Sequence, residues 1–211
     1  MPADRDQTTC PGCRLPRWLC VCAHAPNISI RTPLILVAHC HDAGRTSNTT
    51  RLLALAVRGT VLLRHGERPG PADPAPHVPA GATPLVLFPG RGARPLTPEF
   101  VASLSSPALI VPDGNWRQAS HMVKRLPLLA RAPKVELPAR ALPGLALRRN
   151  RSEHRMSTYE AVAQALGILE GDSVSEPLLH FYRRAIDRML LVRGKLRLGD
   201  VYGGIDGPTQ V

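Results

Sequence analysis

Short apolar runs recur along the chain, separated by turn residues or by longer amphipathic segments. Six such runs cover residues 32–38, 60–64, 84–88, 106–112, 134–137 and 145–148, of which the last two are weaker. Apolar runs of this length between turn residues are typical of buried strands. Segments of helical length lie between several runs, so the pattern predicts an α/β fold with a mostly parallel, doubly wound sheet. The 211 residues fit one such domain.

Particular residue pairs mark where helices begin. Thr97 followed by Pro98 is typical of an N-cap and a first helical position. Ser157 with Glu160 three residues later matches a capping box, and apolar residues follow it at helical spacing. Residues 176–196 show a further helical pattern, with arginines on one side and Leu, Ile and Met on the other.

The first 26 residues are polar and rich in cysteine, unlike the rest of the chain. Four cysteines fall within thirteen residues, namely Cys10, Cys13, Cys20 and Cys22. Four thiolates can close a tetrahedral zinc shell, and a redox pair or buried thiols are the alternatives. The sequence therefore predicts a structural zinc clip in residues 1–26 and a main domain in residues 27–211.

The N-terminal residues lack the apolar core of a secretory signal, and no apolar run approaches the length of a membrane span. We therefore expect a cytoplasmic protein with no membrane partner. In that compartment cysteines serve as ligands or thiols more often than as disulfides.

The charge balance is strongly basic. Lys and Arg together number 27 against 16 acidic residues, which gives a net charge of +11. Arginine predominates, and its guanidinium suits bidentate contacts with phosphate. The charge favours a polyanionic partner, nucleic acid first. The alternative is that the Arg and Ala content reflects a genome of high GC content.

The first apolar run ends in a histidine-rich segment. His39, His41 and Asp42 resemble the metal ligands of barrel hydrolases, but that interpretation needs further ligands at later strand ends. The later histidines His65, His77 and His121 lie in no matching context. One alternative is a strand-to-helix loop in which Thr46 or Ser47 caps the next helix. Another keeps that geometry but lets Asn48, Thr49 and the helix N-terminus face a ligand.

A second strand ends in a Pro-Asp-Gly corner before a helix. Residues 110–122 read IVPDGNWRQASHM and place Asp113 at the end of the strand and Trp116 at the start of the helix. Ligands of parallel α/β sheets bind at the carboxyl ends of strands. Four arginines between 148 and 155 precede the helix capped by Ser157, and they suit either phosphate binding or a solvated loop.

Taken together, these motifs resemble the DTW-domain family, the tRNA-uridine aminocarboxypropyltransferases. The cysteine cluster comes first, then His39 with Asp42 and Ser47-Asn48-Thr49, Leu87 to Pro89, Asp113-Gly114-Asn115-Trp116, and Ser157 to Ala161. The resemblance covers about residues 10 to 170. Asn115 stands where the family has Thr, and Cys40 where it usually has Pro. Because Asn also caps helices, we expect the backbone corner to be kept.

The resemblance implies a fold similar to the SPOUT class, knotted at the cofactor site. It implies S-adenosylmethionine as donor of a 3-amino-3-carboxypropyl group and N3 of a uridine in tRNA as acceptor, with 5'-methylthioadenosine released. A SPOUT-like RNA methyltransferase and a non-catalytic zinc-containing RNA-binding module are the alternatives.

The resemblance also suggests residue roles. Asp113 and Trp116 are the candidate catalytic residues, with Asp113 either taking the N3 proton or holding the donor's ammonium. The candidate donor-binding residues are Asn48, Thr49, Phe88, Pro89, Gly90, Pro112, Asp113, Gly114, Asn115, Arg155, Met156, Ser157, Thr158 and Glu160. Candidate contacts to RNA phosphates are Arg17, Arg45, Arg51, Lys124, Arg125, Arg148, Arg149 and Arg151.

Overall fold

A six-stranded sheet lies at the centre of the computed structural model. The structure describes residues 9–43, 49–67, 70, 72–138 and 156–205, without the side chains of 42 and 43. The strands are β1 (Leu34–His39), β2 (Val61–His65), β3 (Thr83–Leu87), β4 (Arg94–Pro95), β5 (Pro107–Asp113) and β6 (Lys134–Glu136). They lie in the order β2-β1-β5-β3-β6-β4, and each neighbouring pair is parallel. The predicted α/β fold with a mostly parallel sheet is confirmed.

Seven helices accompany the strands in the described part of the chain. They are α1 (Cys40–Ala43), α2 (Thr50–Ala56), α3 (Pro98–Ala102), α4 (Trp116–Arg125), α5 (Pro127–Arg131), α6 (Thr158–Glu170) and α7 (Asp172–Val192). Short 3-10 turns lie at Arg17–Leu19, Cys22–His24, Ala75–His77 and Leu198–Asp200. None of the helices in the described ranges is long and apolar enough to cross a membrane.

The predicted helix starts at Thr97 and Ser157 are confirmed. The Thr97 side chain accepts a hydrogen bond from the Phe100 amide, and Ser157 forms a complete capping box with Glu160. The last helix begins at Asp172, four residues before the predicted start. Gly171, with φ of 105°, is the single residue between it and α6, so the chain turns there and enters the helix at once. The strand predicted at 145–148 lies outside the described residues.

Helices cover both faces of the sheet. On one face, α4 and α5 pack against the side chains of Ile35, Val37, Val86 and Ile110. On the other face, α2, α6 and α7 pack against the alternate residues of the same strands, including Leu36. Strands buried on both faces read as continuous apolar runs, which is why the sequence marks the central strands clearly.

The chain connections point to a crevice between β1 and β5. These strands are neighbours, but the chain leaves β1 toward β2 on one side and leaves β5 toward β6 on the other. Ligands of open α/β sheets bind at such a switch point, outside the carboxyl ends of the strands. We call the edge formed by His39, His65, Leu87, Asp113 and Glu136 the carboxyl edge. The knot implied by the family resemblance stays a prediction.

The cysteine clip, residues 10–22, packs into the same core as α6 and α7. Leu15, Leu19 and Val21 are buried there. Arg188 of α7 is only 1% exposed and donates hydrogen bonds to the carbonyls of Cys20, at 2.6 Å, and Gly204, at 3.2 Å. The prediction that the arginines of this helix lie on its polar side is therefore wrong for Arg188. This side chain is buried and binds the backbone of the clip. The division of domains at residue 26 stays a prediction.

Candidate functional site

Asp113 ends β5 at the middle of the carboxyl edge and is 7% exposed. The chain then turns through Gly114 and enters α4 with Asn115 as N-cap. The Gln118 amide donates to Asn115 Oδ1 at 3.0 Å, and the Asn115 amide donates to Gln118 Oε1 at 2.7 Å. Asn115 thus forms the cap that the sequence predicts, and the backbone corner is kept without the threonine of the family.

Gly114 lies in a narrow space between Gln118 and the end of β1. A Cβ atom at this position would lie 3.0 Å from Gln118 Oε1 and 3.3 Å from His39 Cβ. Contacts of this length leave little room for a side chain, so the corner fits tightly against the end of β1. The β1–β5 register, which pairs Ala38 with Asp113, produces this approach.

The same capping box fixes the hydrogen-bonding state of His39. Gln118 Oε1 accepts from a backbone amide, so the other end of its side chain is the NH2 group. That NH2 group lies 3.2 Å from His39 Nδ1, and the His41 amide approaches the same atom at 3.4 Å. An NH2 group can only donate, so Nδ1 is an acceptor and the proton of the neutral ring lies on Nε2.

Trp116 opens α4 and remains 61% exposed. Its ring stacks on Phe88, with the ring centres 4.8 Å apart and the planes inclined by 20°. Phe88 follows β3 directly, so the stacked pair lies on the carboxyl edge. An exposed aromatic face in a fixed orientation is suited to stacking against a base.

Side-chain alternation separates two sides of the edge. Leu109 and Val111 face α6 and α7, so Asp113, two residues on, is directed to that side. Ile35 and Val37 face α4, so His39 is directed to the opposite side. The sheet therefore divides a carboxylate side from a histidine side.

Several other candidate donor-binding residues lie at strand and helix ends. Pro112 and Thr49 are buried, and Pro89 and Gly90 are exposed after β3. The Gly90 amide donates to Glu136 Oε2 at 3.4 Å, which ties this loop to the end of β6.

Met156, Ser157 and Thr158 are half-buried at the start of α6. Glu160 is 3% exposed, and its Oε2 accepts from the Ser157 amide at 2.9 Å and hydroxyl at 2.8 Å. The Glu160 carboxylate is thus engaged in the capping box that shapes this helix start.

Six of the candidate residues lie outside the described ranges. They are Arg45, Asn48, Arg148, Arg149, Arg151 and Arg155.

The described candidate RNA contacts do not share one surface. Arg17 is exposed on the cysteine clip, beside Trp18, which is 59% exposed. Lys124 and Arg125 are exposed at the end of α4, on the opposite face of the sheet. Arg51 donates from Nε to the Cys13 carbonyl at 3.1 Å, and burial lowers its pKa to about 10. Arg51 therefore contacts the clip.

The four cysteines converge as the sequence predicts. The sulfur atoms lie within 4.8 Å of one another, with Cys10–Cys20 at 3.4 Å, Cys10–Cys22 at 3.6 Å and Cys13–Cys20 at 3.8 Å. A tetrahedral zinc ion with bonds of about 2.3 Å separates its sulfur ligands by about 3.8 Å. The cluster is therefore positioned to bind a metal ion, and its geometry fits zinc.

The acidity of the thiols in the cluster is uneven, and burial raises the pKa of Cys13. Burial raises the pKa of Cys10, but hydrogen bonds from the backbone at Cys13 and Gly12 and from neighbouring thiols lower it overall to about 7. Burial raises the pKa of Cys22, so a metal ion is needed to keep that thiol ionised.

A pocket that the sequence motifs do not predict lies on the histidine side of the edge. A cavity of about 240 Å³ is lined by His39, His65, Arg117, Gln118, His121 and Met122, and we call it the histidine pocket. The β1–β2 register places His65 beside His39, with ring centres 6.2 Å apart. Burial lowers the pKa of His65, as do the nearby His39 and His121. The sequence signal for this pocket was that His39 and His65 each stand at the end of a strand.

Comparisons with known proteins agree with these motifs. A family model described as "DTW domain" matches residues 7–190. The chain is similar to tRNA-uridine aminocarboxypropyltransferase 2 of Drosophila melanogaster, with 28% identity over 76% of this chain and 66% of that protein. It is also similar to tRNA-uridine aminocarboxypropyltransferase A of Arabidopsis thaliana, with 30% identity over 77% of this chain and 73% of that protein.

Among solved structures, the chain is similar to the SAM-dependent rRNA:acp-transferase Tsr3 from Vulcanisaeta distributa. The sequence identity is 21%, the TM-score is 0.49, and the match covers 77% of this chain and 79% of that one. The chain spans about two thirds of the length of the curated relatives it matches, with 66% for the fly protein and 67% for its Mus musculus counterpart.

Proposed function

The chain belongs to the DTW domain family, and on that premise we propose that it is a tRNA-uridine aminocarboxypropyltransferase. It transfers the 3-amino-3-carboxypropyl group of S-adenosylmethionine to N3 of a uridine in tRNA and releases 5'-methylthioadenosine. The names of its relatives support the reaction class. The structural observation that carries the proposal is the buried Asp113 at the switch point of the sheet, followed at the start of α4 by the exposed Trp116, which stacks on Phe88.

The reaction is a displacement at carbon. A bond forms between uridine N3 and the carbon of the aminocarboxypropyl group that is attached to sulfur. The carbon–sulfur bond breaks, and its electron pair neutralises the sulfonium, so the leaving group needs no proton. The N3 proton must go to a base, and correct alignment of the reacting atoms supplies much of the rate enhancement.

We assign Asp113 as the group that accepts the N3 proton. Its position at a strand end, shielded from bulk water, is where a base must stand to reach a bound uridine. The competing role is that the Asp113 carboxylate pairs with the donor's ammonium group. Trp116 offers its exposed face to the acceptor or the donor by stacking.

The donor's adenosine is proposed to lie among main-chain groups of three segments. These are residues 88–90, residues 112–115 and residues 156–158, whose prolines and glycines allow close approach of the backbone. Asn48, Thr49, Arg155 and Glu160 complete the proposed donor site, with Arg155 or the Asn48–Thr49 region facing the donor's carboxylate.

RNA contacts are proposed on two surfaces of the chain. Arg17, with Trp18 beside it, forms one on the clip, and Lys124 with Arg125 forms the other on α4. Arg51 and the arginines at 45, 148, 149 and 151 are proposed to add phosphate contacts. Zinc held by the four cysteines cross-links the clip and takes no part in the transfer. We place the activity in the cytoplasm, where cysteines stay reduced.

The proposal is tested by incubating the purified protein with S-adenosylmethionine and bulk tRNA and analysing the nucleosides by mass spectrometry. We expect a uridine that carries the aminocarboxypropyl mass, and 5'-methylthioadenosine in equal amount. A methylated nucleoside with S-adenosylhomocysteine would instead show a methyltransferase. RNA binding without any product would show a binding module.

A further inference from the structure

The histidine pocket is rich in groups that donate hydrogen bonds. Its lining comprises three imidazoles, one guanidinium, one carboxamide and one thioether, and none of these six residues carries a carboxylate. Arg117 and His121 are one helical turn apart on α4 and are exposed, so the pocket opens to solvent.

The N–H group at Nε2 of His39 adds a hydrogen-bond donor on the side of the ring that faces away from Gln118. Because Nδ1 accepts from Gln118 and from the His41 amide, the donating atom is Nε2. Nε2 lies on the side of the ring toward β2, since a Cβ atom at Gly66 would be 3.6 Å from it. The His39 N–H group is thus presented where β2 ends at His65.

His65 also lacks a partner for one ring nitrogen. Its Nδ1 atom is buried and makes no hydrogen bond within the described part of the chain. Burial disfavours a positive charge on this ring and so lowers its pKa, as do the nearby His39 and His121. An anion placed among these rings and Arg117 would offset that unfavourable charge.

We propose that the histidine pocket is an oxyanion site that holds a backbone phosphate of the RNA substrate, an inference that rests on the proposed function. Two oxyanions are available to this protein, the RNA phosphate and the carboxylate of the donor. The geometry points to the phosphate, because the pocket is open to solvent and lies on the α4 side of the sheet. The residues proposed to face the donor's carboxylate, Arg155 and the Asn48–Thr49 region, precede α6 and α2, which pack on the other face of the sheet.

The inference is tested first by NMR on protein labelled with 15N-histidine, with four small probes. We expect inorganic phosphate and uridine 5'-monophosphate to shift the His39, His65 and His121 signals saturably, and uridine to leave them unchanged. His180, which pairs with the Tyr202 hydroxyl at 2.6 Å on α7, is an internal control. The inference would be overturned if only uridine, or only S-adenosylmethionine, shifted the His39, His65 and His121 signals. It would also be overturned if the His180 signal shifted equally.

A matched pair of variants tests the link to RNA. Arg117→Gln should weaken inorganic phosphate binding about tenfold and raise the KM for tRNA by a similar factor, with kcat nearly unchanged. Arg131→Gln, an exposed arginine on α5, should change neither value. An unchanged KM in Arg117→Gln, with phosphate binding lost, would overturn the assignment to RNA. The phosphate titration needs no turnover, so failure of the proposed transferase activity would be seen separately.

Discussion

At the residue scale, Gln118 links the start of α4 to the candidate site. Its Oε1 atom accepts from the Asn115 amide and its NH2 group donates to His39, so one side chain caps a helix and orients an imidazole. Asn115 can replace the family's threonine because the cap needs only an acceptor on a short side chain.

Gln118→Glu should reverse the tautomer of His39. A carboxylate keeps an acceptor for the Asn115 amide but places a second acceptor, in place of a donor, at His39 Nδ1. The proton is then expected on Nδ1, which 15N NMR of the imidazole detects directly. Asn115→Thr keeps the cap and should leave the tautomer as it is. A proton on Nδ1 in the unmodified protein would show that Gln118 does not donate to His39.

Asp113→Asn should lower single-turnover transfer by at least about a hundredfold, because a carboxamide cannot take the N3 proton. Binding of S-adenosylmethionine, measured by calorimetry, should be nearly unchanged. The control is Asp200→Asn, an exposed carboxylate in the last 3-10 turn. If the variant keeps its transfer rate at saturating donor but binds the donor weakly, Asp113 holds the ammonium group and is not the base.

At the element scale, the central strands and the helix caps were predictable from the sequence. Strands β1, β3 and β5 are buried on both faces and therefore read as apolar runs, and Thr97 and Ser157 mark caps by local chemistry. The two-residue strand β4 is too short to leave a pattern. The pairing of His39 with His65 depends on strand register, which is set by tertiary packing and not by local sequence.

Glu170 at the end of α6 holds the segment that enters β1. Its Oε1 atom accepts from the Thr32 amide and hydroxyl, both at 2.6 Å, and from the Arg31 amide at 3.1 Å. Burial raises the pKa of Glu170, but these hydrogen bonds outweigh burial and lower it overall. A lowered folded-state pKa means that this stabilisation is complete above the ordinary carboxyl pKa of about 4.3 and is lost as the pH falls through the lowered value.

Glu170→Gln should therefore lower the free energy of unfolding by about 1–3 kcal/mol at pH 7, and the difference from the unmodified protein should shrink in acid. Urea unfolding at a series of pH values measures both effects. Glu176→Gln, an exposed carboxylate on α7, should differ little from the unmodified protein at any pH. A Glu170→Gln difference that stays constant into acid would contradict the hydrogen-bonded carboxylate.

At the scale of the whole molecule, the cysteine clip is fastened to the sheet domain by buried contacts. Arg188 of α7 and Arg51 of α2 both donate to clip carbonyls, and the clip's leucines join the core between them. The sequence predicts the metal cluster from cysteine spacing. It does not predict the burial of Arg188, because the carbonyls that accept its hydrogen bonds are brought near only by the fold.

Removal of the metal should therefore destabilise more than the clip. Cys20→Ser, or treatment with a strong zinc chelator, should lower the Tm of the entire domain, because the clip residues are part of the main core. Metal analysis should find one zinc ion per chain. Cys40→Ser removes a thiol outside the cluster and should keep both zinc and Tm. A chain without zinc but with an unchanged Tm would refute the structural role.

The proposed reaction transfers the aminocarboxypropyl group and not the methyl group. The most direct measurement uses S-adenosylmethionine labelled with 14C in the methyl group and 3H in the aminocarboxypropyl chain, followed by counting both labels in the recovered tRNA. We expect 3H in the tRNA and 14C in 5'-methylthioadenosine. Recovery of 14C in the tRNA, with 3H left in S-adenosylhomocysteine, would contradict the proposed reaction.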